Sequence, residues 1–199
     1  ARIETGGNLE QKGAQLKVGG DLATDIQGDW QITTQQTRET TRVNRMGGHS
    51  FTDTVQNVGS VIQVGGQSDI KTGGNLIAQG AQIDLQGGGS IQAGGSVELQ
   101  AIKNSFSLDA TSASKRSSSS LKTYDETVVG TSLQSGQSLT VQSGKDIRFV
   151  GSTLNVAQGS ATLAATGDVT IKAETEQHTY DWQHTGQHSG IVSTTTTAE

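Results

Sequence analysis

One short unit recurs along this chain. A glycine is followed by one or two small polar residues, then an apolar residue, a polar one and a second apolar or small one. Clear copies are Gly80-Ala81-Gln82-Ile83-Asp84-Leu85, Gly95-Ser96-Val97-Glu98-Leu99, Gly136-Gln137-Ser138-Leu139-Thr140-Val141 and Gly144-Lys145-Asp146-Ile147-Arg148-Phe149. Alternation of apolar and polar residues over a few positions marks a strand with one buried face. The inward set includes Leu85, Ile91, Val97, Leu139, Ile147, Leu154 and Val169, and the outward set includes Thr140, Arg148, Asn155 and Thr170. Glycine with Asn, Asp or Ser supplies the tight corners between strands. A strand with only two inward residues cannot build a core in a simple hairpin meander, so each must lean on copies of itself.

The spacing of the units sets the architecture. The steps from Leu76 to Ile83, from Ile83 to Ile91 and from Ile91 to Val97 are nearly equal, and together they close one period. Leu9, Leu16, Leu22 and Trp30 repeat the same period. Three strands of about 7 residues make one coil, and successive coils stack at about 4.8 Å, the spacing of paired strands. The expected fold is all-β: a right-handed parallel β-helix with three short strands and about 21 residues per coil. The uneven steps do not fit a strict hexapeptide helix, and the Gly-Gly-x-Gly-x-Asp calcium repeat is not present. Composition agrees. Hydrophobic residues are 31% and aromatic residues 4%, too little for a thick two-layer core, while 27 glycines with abundant Ser, Thr and Gln suit a thin repetitive structure.

A longer period lies above the coil. Gly7-Asn8-Leu9 with Gly13-Ala14-Gln15-Leu16 matches Gly74-Asn75-Leu76 with Gly80-Ala81-Gln82-Ile83, and Gly136-Gln137-Ser138-Leu139 begins a third copy. The chain therefore reads as three repeats, 1–62, 63–134 and 135–199. Each runs as coil and then breaks into a polar excursion, near 33–58, 104–131 and 174–199. All three leave after a similar inward strand, so they should emerge on one side. The first reads as a hairpin with its tip at Gly47-Gly48, a two-glycine turn signal. That turn would set Arg42 opposite Asp53 and Asn44 opposite Phe51. The arm is expected to be a solvated projection, and a lone two-stranded hairpin is marginal in water. It would have to lie along the shaft or be held by a neighbouring excursion or a partner. In the second excursion, Ser112 to Ser120 is low-complexity and reads as mobile.

Candidate chemistry is sparse. There is no cysteine, hence no disulfide, thiolate metal site or thiol nucleophile. The net charge of −5 argues against a nucleic-acid binder, and Lys115-Arg116 reads as solvated charge. No apolar run approaches the roughly 18 residues of a membrane helix. His184 and His188 are four apart, as in a helical zinc pair, but the helix and the adjoining Glu of a metalloprotease are missing. No metal and no cofactor are expected. Tyr180 and Trp182 alternate with Asp181, so both fall on one strand face. They read either as caps on the apolar core or, with His184 and His188, as an exposed contact for a partner or a carbohydrate. The carboxylates Asp84, Glu98 and Asp109 share no register, so no catalytic residue is assigned and the chain is not expected to be an enzyme.

These Gly-x-polar-apolar units, broken by Ser/Thr-rich excursions, resemble the haemagglutinin-repeat region of large exoproteins secreted by two-partner systems. Gly167 to Ala173 followed by Glu174-Thr175-Glu176, and Ser193 to Thr197, are typical of it. The family includes filamentous haemagglutinin adhesins and contact-dependent growth inhibition toxins. The resemblance implies a Gram-negative cell-surface filament, exported across the outer membrane by a partner β-barrel transporter. It further implies either a stalk that helps deliver a toxin across a target cell's outer membrane or the shaft of an adhesin that binds host surfaces. The chain begins and ends in mid-pattern and reads as a piece of something longer.

Overall fold

The computed structural model describes residues 1–189 and 194–198, with side chains described through Gln187. It contains no helix among the described residues. The chain runs as successive coils of three strands. The first coil is β1 (Arg2–Thr5), β2 (Leu9–Lys12) and β3 (Gln15–Val18). The second has β4 (Leu22–Ile26) and β5 (Trp30–Thr33), then the hairpin β6 (Gln35–Arg45) and β7 (Gly48–Val58), and closes with β8 (Val61–Val64). The third is β9 (Ser68–Thr72), β10 (Leu76–Gln79) and β11 (Gln82–Leu85). The fourth has β12 (Gly89–Ala93) and β13 (Val97–Gln100), then β14 (Ile102–Ala113) and β15 (Ser117–Val129), and closes with β16 (Ser132–Ser135). The fifth is β17 (Leu139–Ser143), β18 (Ile147–Val150) and β19 (Thr153–Val156). The sixth has β20 (Ala161–Ala165) and β21 (Val169–Lys172), followed by β22 (His178–Ser189) and β23 (Thr194–Ala198).

The short strands form three parallel sheets, each taking its strands from successive coils: β1-β4-β9-β12-β17-β20, β2-β5-β10-β13-β18-β21 and β3-β8-β11-β16-β19. This is a parallel β-helix. The register gives the pitch directly. Leu76 pairs with Val97 and Ile62 with Ile83, each one coil further along the chain, at the period that the sequence spacing predicts. Where a hairpin intervenes, the same one-coil step holds. Leu16 pairs with Ile62 across β6 and β7, and Ile83 pairs with Leu133 across β14 and β15. The hairpins account for the extra chain, so the coil closes as if they were absent.

The core is a set of ladders. One runs Leu9, Trp30, Leu76, Val97, Ile147, Val169 in direct register. Leu85, Ile91, Val97, Leu139 and Ile147 are fully buried. Leu154 is half-buried against the core. Val169 departs from the expectation. It sits on the ladder above Ile147 but is 48% exposed, because β21 ends its sheet and no further described strand covers it. The cost of an uncovered end is inherent in a stack whose coils rely on their neighbours.

Corners are held by side-chain oxygens passed from coil to coil. Asn8 Oδ1 accepts from the Asp29 N–H at 2.9 Å, Asp29 Oδ1 from Asn75 at 2.6 Å and Asn75 Oδ1 from Ser96 at 2.8 Å. This explains the Gly-Gly-Asn/Asp spelling of the repeat. At Gly74 a Cβ would collide with the Asp29 carboxylate that the ladder brings there.

The chain divides into two compact units. One comprises Ala1–Gln36, Asn57–Ile102 and Val128–Thr175, the parallel coil. The other comprises Thr37–Gln56, Lys103–Thr127 and Glu176–Glu199, the hairpins.

Candidate functional site

The outward-looking chemistry lies in the hairpin unit. Its strands form one antiparallel sheet in the order β6-β7-β14-β15-β22-β23. The first arm is held by the neighbouring excursion, one of the arrangements its marginal stability demands, and is not a solvated projection on its own: β7 pairs with β14 from Val55 opposite Ser105 to Gly48 opposite Ser112. The serine tract is not a loose linker either. Ser117 to Ser120 lie on β15, paired with Gly186 to Gln183 of β22. Backbone pairing across the sheet satisfies the polar groups that a Ser-rich segment would otherwise leave to water.

The first turn is one residue earlier than the glycine pair suggests. β6 ends at Arg45 and β7 begins at Gly48, so the turn is Met46-Gly47. Gly47 takes φ +82°, which L residues rarely adopt, and Gly48 is instead a strand residue pressed against the Thr111 carbonyl. The shifted register changes the charge pairing. Arg38, not Arg42, binds Asp53, through Nε at 2.8 Å and Nη2 at 2.5 Å. Arg42 lies over the Phe51 ring, 5.3 Å from its centroid.

The two faces of the sheet differ in character. Lys103 reaches Glu126 at 2.9 Å, and Lys122 lies 3.8 Å from Asp109. Those contacts put odd residues of β14 and even residues of β15 on one face, with Asp53 and Asp181 by register. Hydrogen bonds from Lys103 and then Tyr124 hold the Glu126 carboxyl below its ordinary pKa, and Glu126 in turn pushes the Tyr124 phenol up. Arg38 holds the Asp53 carboxyl down in the same way. This is the charged face.

By strand alternation the other face carries Phe106 and Leu108 of β14, Leu121 and Thr123 of β15, and Tyr180, Trp182 and His184 of β22. Trp182 stands opposite Leu121, Tyr180 opposite Thr123 and His184 opposite Ser119. Tyr180 is 73% exposed and Trp182 45%. These rings belong to the hairpin sheet. The Trp182 and His184 rings are parallel within 4°, with centroids 5.9 Å apart. At the start of β22, His178 Nδ1 lies 3.0 Å from Asp125 Oδ1, with Glu176 at 3.5 Å from Nε2. Asp125 first, and Glu176 second, raise the His178 pKa above its ordinary value.

The His184 and His188 pair is not a helical one. Both lie on β22, where residues four apart are about 13 Å apart, and the His188 side chain lies outside the described residues. Among the described residues, no group of three or more His, Asp or Glu could hold a metal ion.

The structure thus defines a parallel β-helix carrying hairpins that merge into one two-faced sheet. The chain belongs to the haemagglutinin repeat family, which matches residues 43–123 and 111–199. It is similar to the tRNA nuclease CdiA-2 of Burkholderia pseudomallei (strain 1026b), 40% identical over 199 residues, 98% of this chain and 6% of that protein. It is also similar to a tRNA nuclease CdiA of Burkholderia pseudomallei, 40% identical over 169 residues, 83% of this chain and 13% of the relative. A toxin CdiA of Yersinia pestis is 35% identical over 137 residues, 69% of this chain and 4% of the relative. The chain therefore spans a small part of each of these relatives. No solved structure matches it.

Proposed function

We propose that this segment is a non-catalytic stalk of a secreted exoprotein on the surface of a Gram-negative cell, and that it helps deliver a C-terminal toxin across the outer membrane of a target bacterium. The observation that carries the reading is the uninterrupted ladder from Leu9 through Ile147, which holds its register past two hairpins. Such a stack transmits length and rigidity and presents no convergent acid, base or nucleophile. The relatives named as tRNA nucleases and toxins are far longer than this chain, which supports the reading that their catalytic part lies elsewhere. On this reading the export partner is an outer-membrane two-partner secretion transporter, and the chain divides functionally into the three coil-plus-hairpin repeats 1–62, 63–134 and 135–199. An adhesin shaft is the alternative, and the toxin names of the relatives favour delivery.

The test uses the full-length exoprotein in co-culture. Ile147→Asp puts a charge into a fully buried ladder position. Killing of target cells should be lost while the purified C-terminal toxin keeps its own activity. Undiminished killing with a disrupted coil would sink the stalk reading.

A further inference from the structure

We infer that the face of the antiparallel sheet bearing Tyr180, Trp182 and His184 is a binding platform for a polysaccharide, a neutral chain of pyranose sugars held against the aromatic rings. Single exposed apolar residues are ordinary on protein surfaces. Here three ring-bearing residues occupy alternate positions of one strand, at steps of about 7 Å, so they form a row about 14 Å long. Tyr180 and Trp182 are 73% and 45% exposed, and Phe106 on the same face is 39% exposed. The Trp182 and His184 rings are held parallel within 4° before any partner arrives. Ordered rings lose little conformational freedom on binding, which is the advantage of rigid aromatic contacts.

The surroundings select the ligand class. A sugar ring presents apolar C–H groups on its face and hydroxyls around its edge, so it needs rings and hydrogen-bonding groups in close alternation. The platform supplies both. Thr123 stands opposite Tyr180 and Ser119 opposite His184, and Tyr180 and Trp182 carry polar tips of their own. The ion pairs Lys103–Glu126 and Arg38–Asp53 occupy the opposite face, and on the ring face His178 is paired with Asp125 and Glu176, so its charge is met by carboxylates. The ring row therefore carries no cationic patch of the kind that nucleic acid or anionic lipid requires. Nor does it form the continuous apolar surface that inserts into a bilayer, because hydroxyls interrupt it. This inference is independent of the delivery reading and would hold for a stalk or for an adhesin.

The test takes the 199-residue chain and two soluble neutral probes: a long glucan polysaccharide, dextran, and cellohexaose. The chain has two tryptophans, and Trp30 is fully buried, so acrylamide quenching of emission reports on Trp182. At least one probe should protect Trp182 saturably, and about 0.5 M salt, which screens surface charge, should leave the protection unchanged. Affinity electrophoresis through gels containing the polysaccharide, or carrying immobilised cellohexaose, then compares variants. Trp182→Ala and Tyr180→Ala should each weaken retardation about tenfold, the order expected for loss of a ring contact, whereas Trp182→Phe should retain most of it. Tyr180 is exposed enough that its substitution leaves the fold intact, as circular dichroism would verify. The inference is overturned if neither probe protects Trp182. It is equally overturned if retardation survives both alanine variants, or if salt abolishes binding and the chain instead binds anionic phospholipid vesicles.

Discussion

Ser60 and Thr131 perform the same task at two places. Each immediately precedes the strand to which the chain returns after a hairpin. The Ser60 hydroxyl lies 2.7 Å from the Thr33 carbonyl oxygen, and the Thr131 hydroxyl lies 2.7 Å from that of Gln100. Thr33 and Gln100 end the coil strands from which each hairpin leaves. One buried hydroxyl thus ties exit to re-entry. Thr131→Val keeps the shape and removes the donor, leaving buried carbonyls short of a partner, at a cost of about 1–3 kcal/mol. Chemical denaturation should show that loss, and Ser60→Ala should behave alike; wild-type midpoints for both would refute the lock. At the base of β22, His178 titrates with its pKa raised by Asp125. A raised folded pKa means that this contact contributes fully below the ordinary histidine value of about 6.5 and is lost as pH rises through the higher folded value. In an NMR titration the His178 ring should show an elevated midpoint, and Asp125→Asn should bring it down. An identical midpoint in the variant would contradict the assignment.

Among elements, the coil strands are legible from sequence and the hairpin sheet is only partly so, for a physical reason. In the coil, each strand pairs with a copy of itself on the next turn, so Ile83 and Leu85 announce their neighbours through one repeated spelling. In the sheet, pairing is antiparallel between hairpins that leave from different coils, and no repeated motif marks the register. The alternation Phe106, Leu108, Ala110 was the available signal, but it carries no glycine marker and runs into the Ser112 to Ser120 tract, which reads as mobile. The glycine pair misled by one residue because its second member serves close strand approach and not the turn. At the tip, Gly47→Ala should cost about 1–2 kcal/mol for its left-handed backbone, and a Cβ there would also press on the Ala113 carbonyl. Hydrogen exchange of β6 and β7 amides should accelerate while β10 and β13 stay protected. Uniform acceleration throughout would mean that hairpin and coil open together.

For the molecule as a whole, the decisive property is that each coil is stabilised by the coils beside it. Stability in such a stack is close to a sum of intrinsic and nearest-neighbour terms. It should therefore be greatest in the middle and least at the ends. Burial already has this profile. Leu76, Val97 and Ile147 are at most 1% exposed, whereas Val169 and Ile171 at the last described coil are 48% and 66% exposed. Removing side-chain volume at the two kinds of position should give different results. Leu139→Ala leaves a cavity in a covered ladder and should cost about 2–5 kcal/mol. Val169→Ala removes a side chain that is half in water and should cost well under the roughly 1.5–3 kcal/mol of a fully buried apolar group. Thermal or denaturant melts of the 199-residue chain would measure both, and native-state hydrogen exchange should rank β12 and β13 above β20 and β21. Adding a designed copy of a covered coil beyond β20 and β21 would cover Val169, and the cost of Val169→Ala should then rise toward that of Leu139→Ala. If the two substitutions cost the same in the unextended chain, the ends are as well held as the middle and the nearest-neighbour account of the stalk is wrong.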